Sequence, residues 1–302
     1  MTEWPYGGSS LPTRAIERMR GLPEFRRARE YRLYTGDGRR YIDLWADDGQ
    51  AAAGHRCGRW RETLSSKLSR GLAFPLPGPE AHKLRKAVRA WFSLEMPTAD
   101  GREMVGQRPV YFFHDETARW KELSSAAPEL VIRDALYSTP DESAAAVVVR
   151  PFSRPHVNRG EWILPVLPLP RAFALCCLLG PAGMGPDSGV QEDLLAPAVL
   201  AAGARAVYDV CRMLRSGTHP GKAFAERLAA TGVWTACGPW LLPSVGADES
   251  AYDRLFAEHA AKHIVLNPVA GAPSLVPAVM SSGERSRILA AAEHARRCGL
   301  GG

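Results

Sequence analysis

Apolar positions along the chain follow two periods in turn. Residues 12–20 (PTRAIERMR) keep helical spacing behind the breaker Pro12. Residues 31–45 switch to alternation: YRLY, the turn TGDG, then RRYIDLW. Asp37-Gly38 at the tip predicts a β-hairpin, because both residues tolerate the left-handed turn. Tyr41, Asp43 and Trp45 fall on one face of its second strand, Ile42 and Leu44 on the other. Residues 60–72 predict an amphipathic helix ended by Gly71. After a rigid Pro/Gly loop at 75–79, residues 80–92 predict a second, with Leu84, Val88 and Trp91 on one stripe.

Residues 93–109 are polar, contain Gly and Pro, and predict a connection and a boundary. Beyond it strands and helices alternate. Strands are predicted at 110–113, 130–132 and 144–149, with a helix at 116–125. Within 163–180 an apolar run broken by Pro165, Pro168, Pro170 and Arg171 predicts two buried strands joined by a turn. An Ala-rich helix covers 194–214, its true start near Ala196 because proline suits the first helical position at Pro197. Helical character resumes at 224–230, followed by strands at 233–235 and 240–245, a helix at 252–263 and a strand at 264–266. A closing helix at 281–297 opens with a capping box, Ser281 with Glu284 three residues on. The alternation implies an α/β architecture, with no repeat or low-complexity tract.

Composition narrows the reading without changing it. At 302 residues, 46% hydrophobic and 23% charged, the chain is expected to fold as one large domain or two moderate ones. No uninterrupted run of 18 apolar residues suggests a membrane span. The opening MTEWPYGGSS has no basic stretch leading into an apolar core, so the expectation is a cytoplasmic chain without a signal peptide. Cys57, Cys176, Cys177, Cys211, Cys237 and Cys298 form no CxxC pair and read as free thiols. The net charge of +6 is arginine, densest in 14–32 and at Arg296 and Arg297, and interspersed with acids. With no nucleic-acid fold motif beside it, this reads as a solvated basic face, with no specific nucleic acid and no membrane as partner.

Several of these segments, taken in order, resemble the class III aminotransferases. YRLYTGDGRRYIDLWADDGQAAAGHRCGRW (31–60) is similar to that family's N-terminal segment: an aromatic strand, a D-G turn, a Y-I-D strand, and a glycine–histidine pair, here Gly54-His55. GGSSLPTRAI (7–16) and GLAFPLPGPEAHKLRKAV (71–88) lean towards its glutamate-1-semialdehyde aminomutase branch. The long helix at 195–214 resembles the one that follows the family's cofactor lysine. TGVWTACGPWLLPSV, DRLFAEHAAKHIVLNP and PSLVPAVMSSGERSRIL look like its C-terminal small domain. The resemblance implies an α/β fold, a reduced pyridoxal-phosphate-dependent transferase of fold type I. Its shortened sheet would lie at 93–200, with a small α+β domain built from both chain ends, 1–92 and 201–302. It also implies a homodimer.

That family's chemistry needs a lysine for the Schiff base, a carboxylate on the pyridine nitrogen and a phosphate cup at a helix N-terminus. The lysines are Lys67, Lys83, Lys86, Lys121, Lys222 and Lys262, and none lies between Lys121 and Lys222, where the resemblance would put it. Arg171 falls in that gap, but a guanidinium stays protonated and cannot form an imine. Asp187 and Asp193 are the aspartates between 149 and 194, and neither follows an apolar strand. YFFHDETARW (111–120) stands where the phosphate cup would be. Thr117 is the cofactor-binding candidate, but Asp115 and Glu116 replace small residues and repel phosphate, and Asp115 also reads as a helix N-cap. Only about thirty residues separate this turn from AAAVVVRPF at 144–152, so much of the family's sheet is expected to be missing.

Other candidates carry bland alternatives. His55 is a site residue at a subunit interface or a turn residue. Lys121 reaches inward or is solvated. His259 and His263, four apart on a helix, lack a third metal ligand. The expected function is a non-catalytic, aminotransferase-like binding or assembly module without cofactor, paired with itself or a catalytic paralogue. One alternative is a pyridoxal-phosphate enzyme of the aminotransferase or aminomutase type with a displaced site at Lys121 or Lys222. Another is an amino- or keto-acid binder with Arg150 or Arg171 on the carboxylate.

Overall fold

The protein is described by a computed structural model covering residues 11–55, 59–96, 99–127, 131–137, 145–185, 189–217, 221–246 and 248–301. The chain opens with α1 (Thr13–Arg20), β1 (Phe25–Arg29), β2 (Arg32–Thr35) and β3 (Arg40–Asp43), then α2 (Trp60–Leu68), α3 (Glu80–Glu95) and α4 (Ala99–Gly106). Next come β4 (Val110–Phe113), α5 (Glu116–Ala126), β5 (Ile132–Asp134), β6 (Ala146–Val149), β7 (Trp162–Pro165) and β8 (Cys176–Leu179). It closes with α6 (Pro197–Arg215), α7 (Lys222–Ala229), β9 (Trp234–Cys237), β10 (Trp240–Pro243), α8 (Glu249–Ala261), β11 (Ile264–Val265), β12 (Ser274–Leu275) and α9 (Ser282–Arg297). Of the described residues, 59–217 form one compact unit, and 11–55 with 221–301 form another.

In the discontinuous unit the hairpin forms as its alternation demands. Arg32 faces Ile42, Leu33 faces Tyr41 and Tyr34 faces Arg40. The sheet order is β1-β2-β3-β11, with β11 parallel to β3, and a second sheet runs β12-β10-β9. Ile42, Leu44, Trp234, Leu255, Phe256, Ile264 and Ile288 share one apolar cluster. Beyond β3 the backbone turns sharply, with Ala46, Asp47 and Asp48 all left-handed. Asp43 holds this turn by accepting the N–H groups of Trp45 at 2.8 Å and Ala46 at 3.1 Å.

In the other unit a five-stranded sheet runs β4-β8-β7-β6-β5. Strands β5, β6 and β7 are mutually parallel, and β8 runs antiparallel to both β7 and β4. Every residue of β6 and β7 is buried, which is why those segments read as continuous apolar runs. Helices α2 and α3 pack on α6. Buried ions brace the loops. Arg108 donates to the carbonyls of Asn158, Glu161 and Gly180, and burial pushes its guanidinium down to about 10. Glu95 accepts from Trp91 Nε1 and from the backbone of Phe152 and Arg154, both left-handed residues.

Several elements differ from expectation, among them α3, which runs on to Glu95, and α8, which spans Glu249–Ala261. The basic FRRAR forms edge strand β1, its pattern hidden because arginines occupy the solvent-facing positions. The connection at 93–109 contains α4, formed because burial of Met104 and Val105 overrides its glycines. Helix α2 ends at Leu68 rather than near Gly71, and the two-residue β12 is too short to leave a pattern. The predicted strand starts at Leu130 and Ala144 lie outside the described residues, as does Cys57. Cys176, Cys177, Cys211 and Cys298 are free thiols.

Candidate functional site

The locus that the sequence marks for a phosphate is the turn between β4 and α5. Phe112 and Phe113 are buried and anchor the strand end, so the chain emerges at His114 with its polar residues grouped. Asp115 is the N-cap of α5 and accepts the Ala118 N–H at 2.7 Å through Oδ1. Its other oxygen lies 3.0 Å from His114 Nε2. Asp193 comes from the segment before α6. Its Oδ2 accepts the His114 backbone N–H at 2.9 Å and also meets Nδ1 of the same ring. With a carboxylate on each ring nitrogen, the exposed imidazole is held above its usual range, chiefly by the Asp193 hydrogen bond.

Thr117, the predicted cofactor contact, is exposed on the first turn of α5. Behind it Arg119 is buried, with Nη2 3.5 Å from Glu116 and Nη1 3.5 Å from the Cys177 carbonyl. Cys176 opens β8 opposite Phe113. Burial pushes its thiol up to about 11, against the opposing pull of Arg119. A thiol that stays protonated is a poor nucleophile.

The arrangement does not fit pyridoxal phosphate. Two backbone donors of the junction are already taken by the chain's own carboxylates, and Glu116 adds a third negative group to the same turn. Nor is an amine at hand. Lys83, Lys86, Lys121, Lys222 and Lys262 are exposed on their helices or at a helix end, and Lys67 is 2.6 Å from Glu80. Asp193, a candidate partner for a pyridine nitrogen, is spent on His114, and Asp187 lies outside the described residues.

The other candidates are placed as follows. Arg150 is fully buried and paired with Asp134, so it is a brace between β5 and the end of β6 rather than a ligand grip. Arg171 sits half-buried in a 3-10 turn. His55 Nε2 lies 2.6 Å from Asp43, whose carboxylate outweighs the burial that opposes charge, so the ring is held above its ordinary value. His259 is buried, with Nδ1 2.9 Å from the Leu255 carbonyl, whereas His263 lies beyond the end of α8 with a left-handed backbone, so the two do not share a helix face; its ring packs on Tyr41. Among the described residues no group of three or more His, Cys, Asp or Glu side chains could hold a metal ion. None of those residues forms a helix long and apolar enough to cross a membrane. Sequence reasoning weighed Asp193 only as a pyridine partner. Its real contact, His114, is 79 positions away and carries no local signal.

The mixed sheet of one unit and the two small sheets of the other define the α/β fold of the class III, pyridoxal-phosphate-dependent aminotransferases. An omega-transaminase from Sphaerobacter thermophilus overlays with a TM-score of 0.62 at 13% identity, over 91% of each chain. No family model matches the chain. In sequence it is 27% identical over 313 residues to an uncharacterized protein of Treponema pallidum (strain Nichols), spanning 86% of this chain and 91% of that protein. A glutamate-1-semialdehyde 2,1-aminomutase of Syntrophus aciditrophicus (strain SB) is 35% identical over 92 residues, 30% of this chain and 21% of that enzyme.

Proposed function

We propose that this protein is a non-catalytic member of the aminotransferase fold that works as a binding or assembly module, pairing with itself or with a catalytic chain of the same fold. The observation that carries the reading is the β4–α5 junction, where Asp115 and Asp193 occupy backbone donors that a cofactor phosphate needs. The outward or ion-paired placement of all six lysines supports it, since an imine-forming lysine needs a protected, unprotonated amine. Pairing is supported by apolar side chains at and after the end of α2: Phe74 is 73% exposed, with Leu68 and Leu76 close to half exposed. The free thiols suit a reducing compartment, and we place the protein in the cytoplasm.

The test is incubation of the purified protein with pyridoxal phosphate. The expected result is no imine absorbance after dialysis and no lysine adduct after borohydride reduction. A retained band with a covalent adduct at Lys121 or Lys222 would restore the displaced-site enzyme. Light scattering tests the pairing: a monomeric mass at micromolar concentration, with no capture of a catalytic chain, removes the assembly role.

A further inference from the structure

We propose that segment 189–196 is an intramolecular strap, and that its Asp193 carboxylate fills the anion position at the β4–α5 junction with a group of the chain's own. Three consecutive strap residues are tied to three different elements. The Gln191 N–H donates to Glu122 of α5 at 2.9 Å. Glu192 pairs with Arg85 of α3, whose Nε also donates to the Val110 carbonyl of β4 at 3.0 Å. Asp193 donates its N–H to the Phe112 carbonyl at 3.0 Å and accepts the His114 N–H with its side chain. Backbone and side chain of one residue thus bridge both sides of the same strand end.

The carboxyl end of a strand leading into a helix N-terminus is where α/β folds bind anions, through backbone N–H groups and the helix dipole. A carboxylate is bound there already, and it belongs to the chain. Asp193 and an incoming phosphate would compete for the His114 donor. A phosphate beside Asp115, Glu116 and Asp193 would also meet three negative groups at short range. The strap and a phosphate-bearing ligand therefore exclude each other. This goes beyond the non-catalytic reading and does not rest on it, because a chain with an imine-forming lysine elsewhere would still carry the strap.

The test compares the wild type with Asp115→Ser/Asp193→Ala, in which serine keeps the helix cap and alanine empties the His114 donor. The probe is inorganic phosphate, against chloride of equal ionic strength. Phosphate at about ten times its dissociation constant should raise the variant's Tm by about 3 °C. The wild type should not move over the same range. A variant unmoved by phosphate, or a wild type moved as far, overturns the proposal. Amide exchange gives a second measurement on Asp193→Ala alone. The amides at positions 191 and 193 should exchange about tenfold faster, with α3 and α6 unchanged; unaltered exchange at those two amides also overturns it. A pyridoxal-phosphate imine in the wild type would sink the non-catalytic reading and leave these outcomes as they are.

Discussion

Arg32 grips Glu284 with two nitrogens, Nε 2.7 Å from one carboxylate oxygen and Nη2 2.9 Å from the other. The same carboxylate accepts the Ser281 N–H at 2.8 Å, so one residue completes the capping box of α9 and ties that helix to the β2–β3 hairpin. Removing Arg32 leaves a buried charge with only the Ser281 N–H and, at 3.7 Å, Arg40 Nε. Arg32→Ala is expected to cost about 3 kcal/mol, and Arg32→Lys more than half of that because the two-pronged geometry is lost. Urea unfolding at pH 7 checks both, and a loss below 1 kcal/mol for Arg32→Ala contradicts the assignment.

The same pair sets a pH dependence. Burial opposes the charged form of Glu284, but the hydrogen bonds from Arg32 and Ser281 outweigh it and hold the carboxyl at about 2 rather than 4.5. Above pH 4.5 both folded and unfolded states are ionised and the contribution is complete. Between pH 4.5 and 2 the unfolded chain takes up a proton that the folded chain refuses, so stability drains away across that window. Glu284→Gln should flatten the slope there.

His259 acts higher on the scale. Burial pushes its imidazole down from 6.5 to about 4. The neutral ring is edge-on to Trp234 at 5.6 Å, with Nδ1 2.9 Å from the Leu255 carbonyl. Stability is full above pH 6.5 and falls by about 3 kcal/mol as the pH drops towards 4, because only the unfolded chain then binds the proton. Denaturation of wild type and His259→Phe at pH 7 and pH 5 checks this. Equal pH sensitivity in the two proteins would count against it.

Gly54 and Gly38 separate two costs. Both are left-handed, at φ 94° and 84°. A Cβ on Gly54 would stand 3.1 Å from the Glu30 backbone, whereas one on Gly38 would meet nothing within 4 Å. Gly38→Ala should cost about 1 kcal/mol, from backbone strain alone. Gly54→Ala should cost about 2–3 kcal/mol, because the Glu30 backbone must also move. Equal losses in chemical denaturation would show that the close approach plays no part.

Glu95 is buried and serves three donors, two of them on the left-handed residues Phe152 and Arg154. Glu95→Ala strands all three and is expected to destabilise by about 3–5 kcal/mol. Glu95→Gln keeps one acceptor oxygen and should lose less. Amide exchange at Phe152 reports the local effect; protection retained in Glu95→Ala would refute the clamp.

Much of the secondary structure was legible in the sequence because its signals are local. The Asp37-Gly38 turn, the Ser281–Glu284 box and the proline opening α6 each act within four residues. The same holds for Asp115, whose cap on Ala118 was readable from position alone. The strap was not legible. Gln191, Glu192 and Asp193 are ordinary polar residues in a loop, and their partners at Glu122, Arg85 and His114 lie between 69 and 107 positions away. Arg150 shows the reverse error. A candidate for gripping a ligand carboxylate in the sequence, it is buried against Asp134, and only the parallel pairing of β5 with β6 brings the two together.

By itself, then, the sequence determined that no lysine stands where the aminotransferase resemblance requires one, since a missing side chain is missing in any conformation. It also determined which segments become helix and strand wherever period and cap agree. Tertiary structure decided which groups meet at the β4–α5 junction. That depended on a carboxylate 79 residues away being carried to the His114 N–H. Such a contact is chosen by chain path and packing, because hydrogen bonds select for distance and angle in space and are indifferent to separation along the chain.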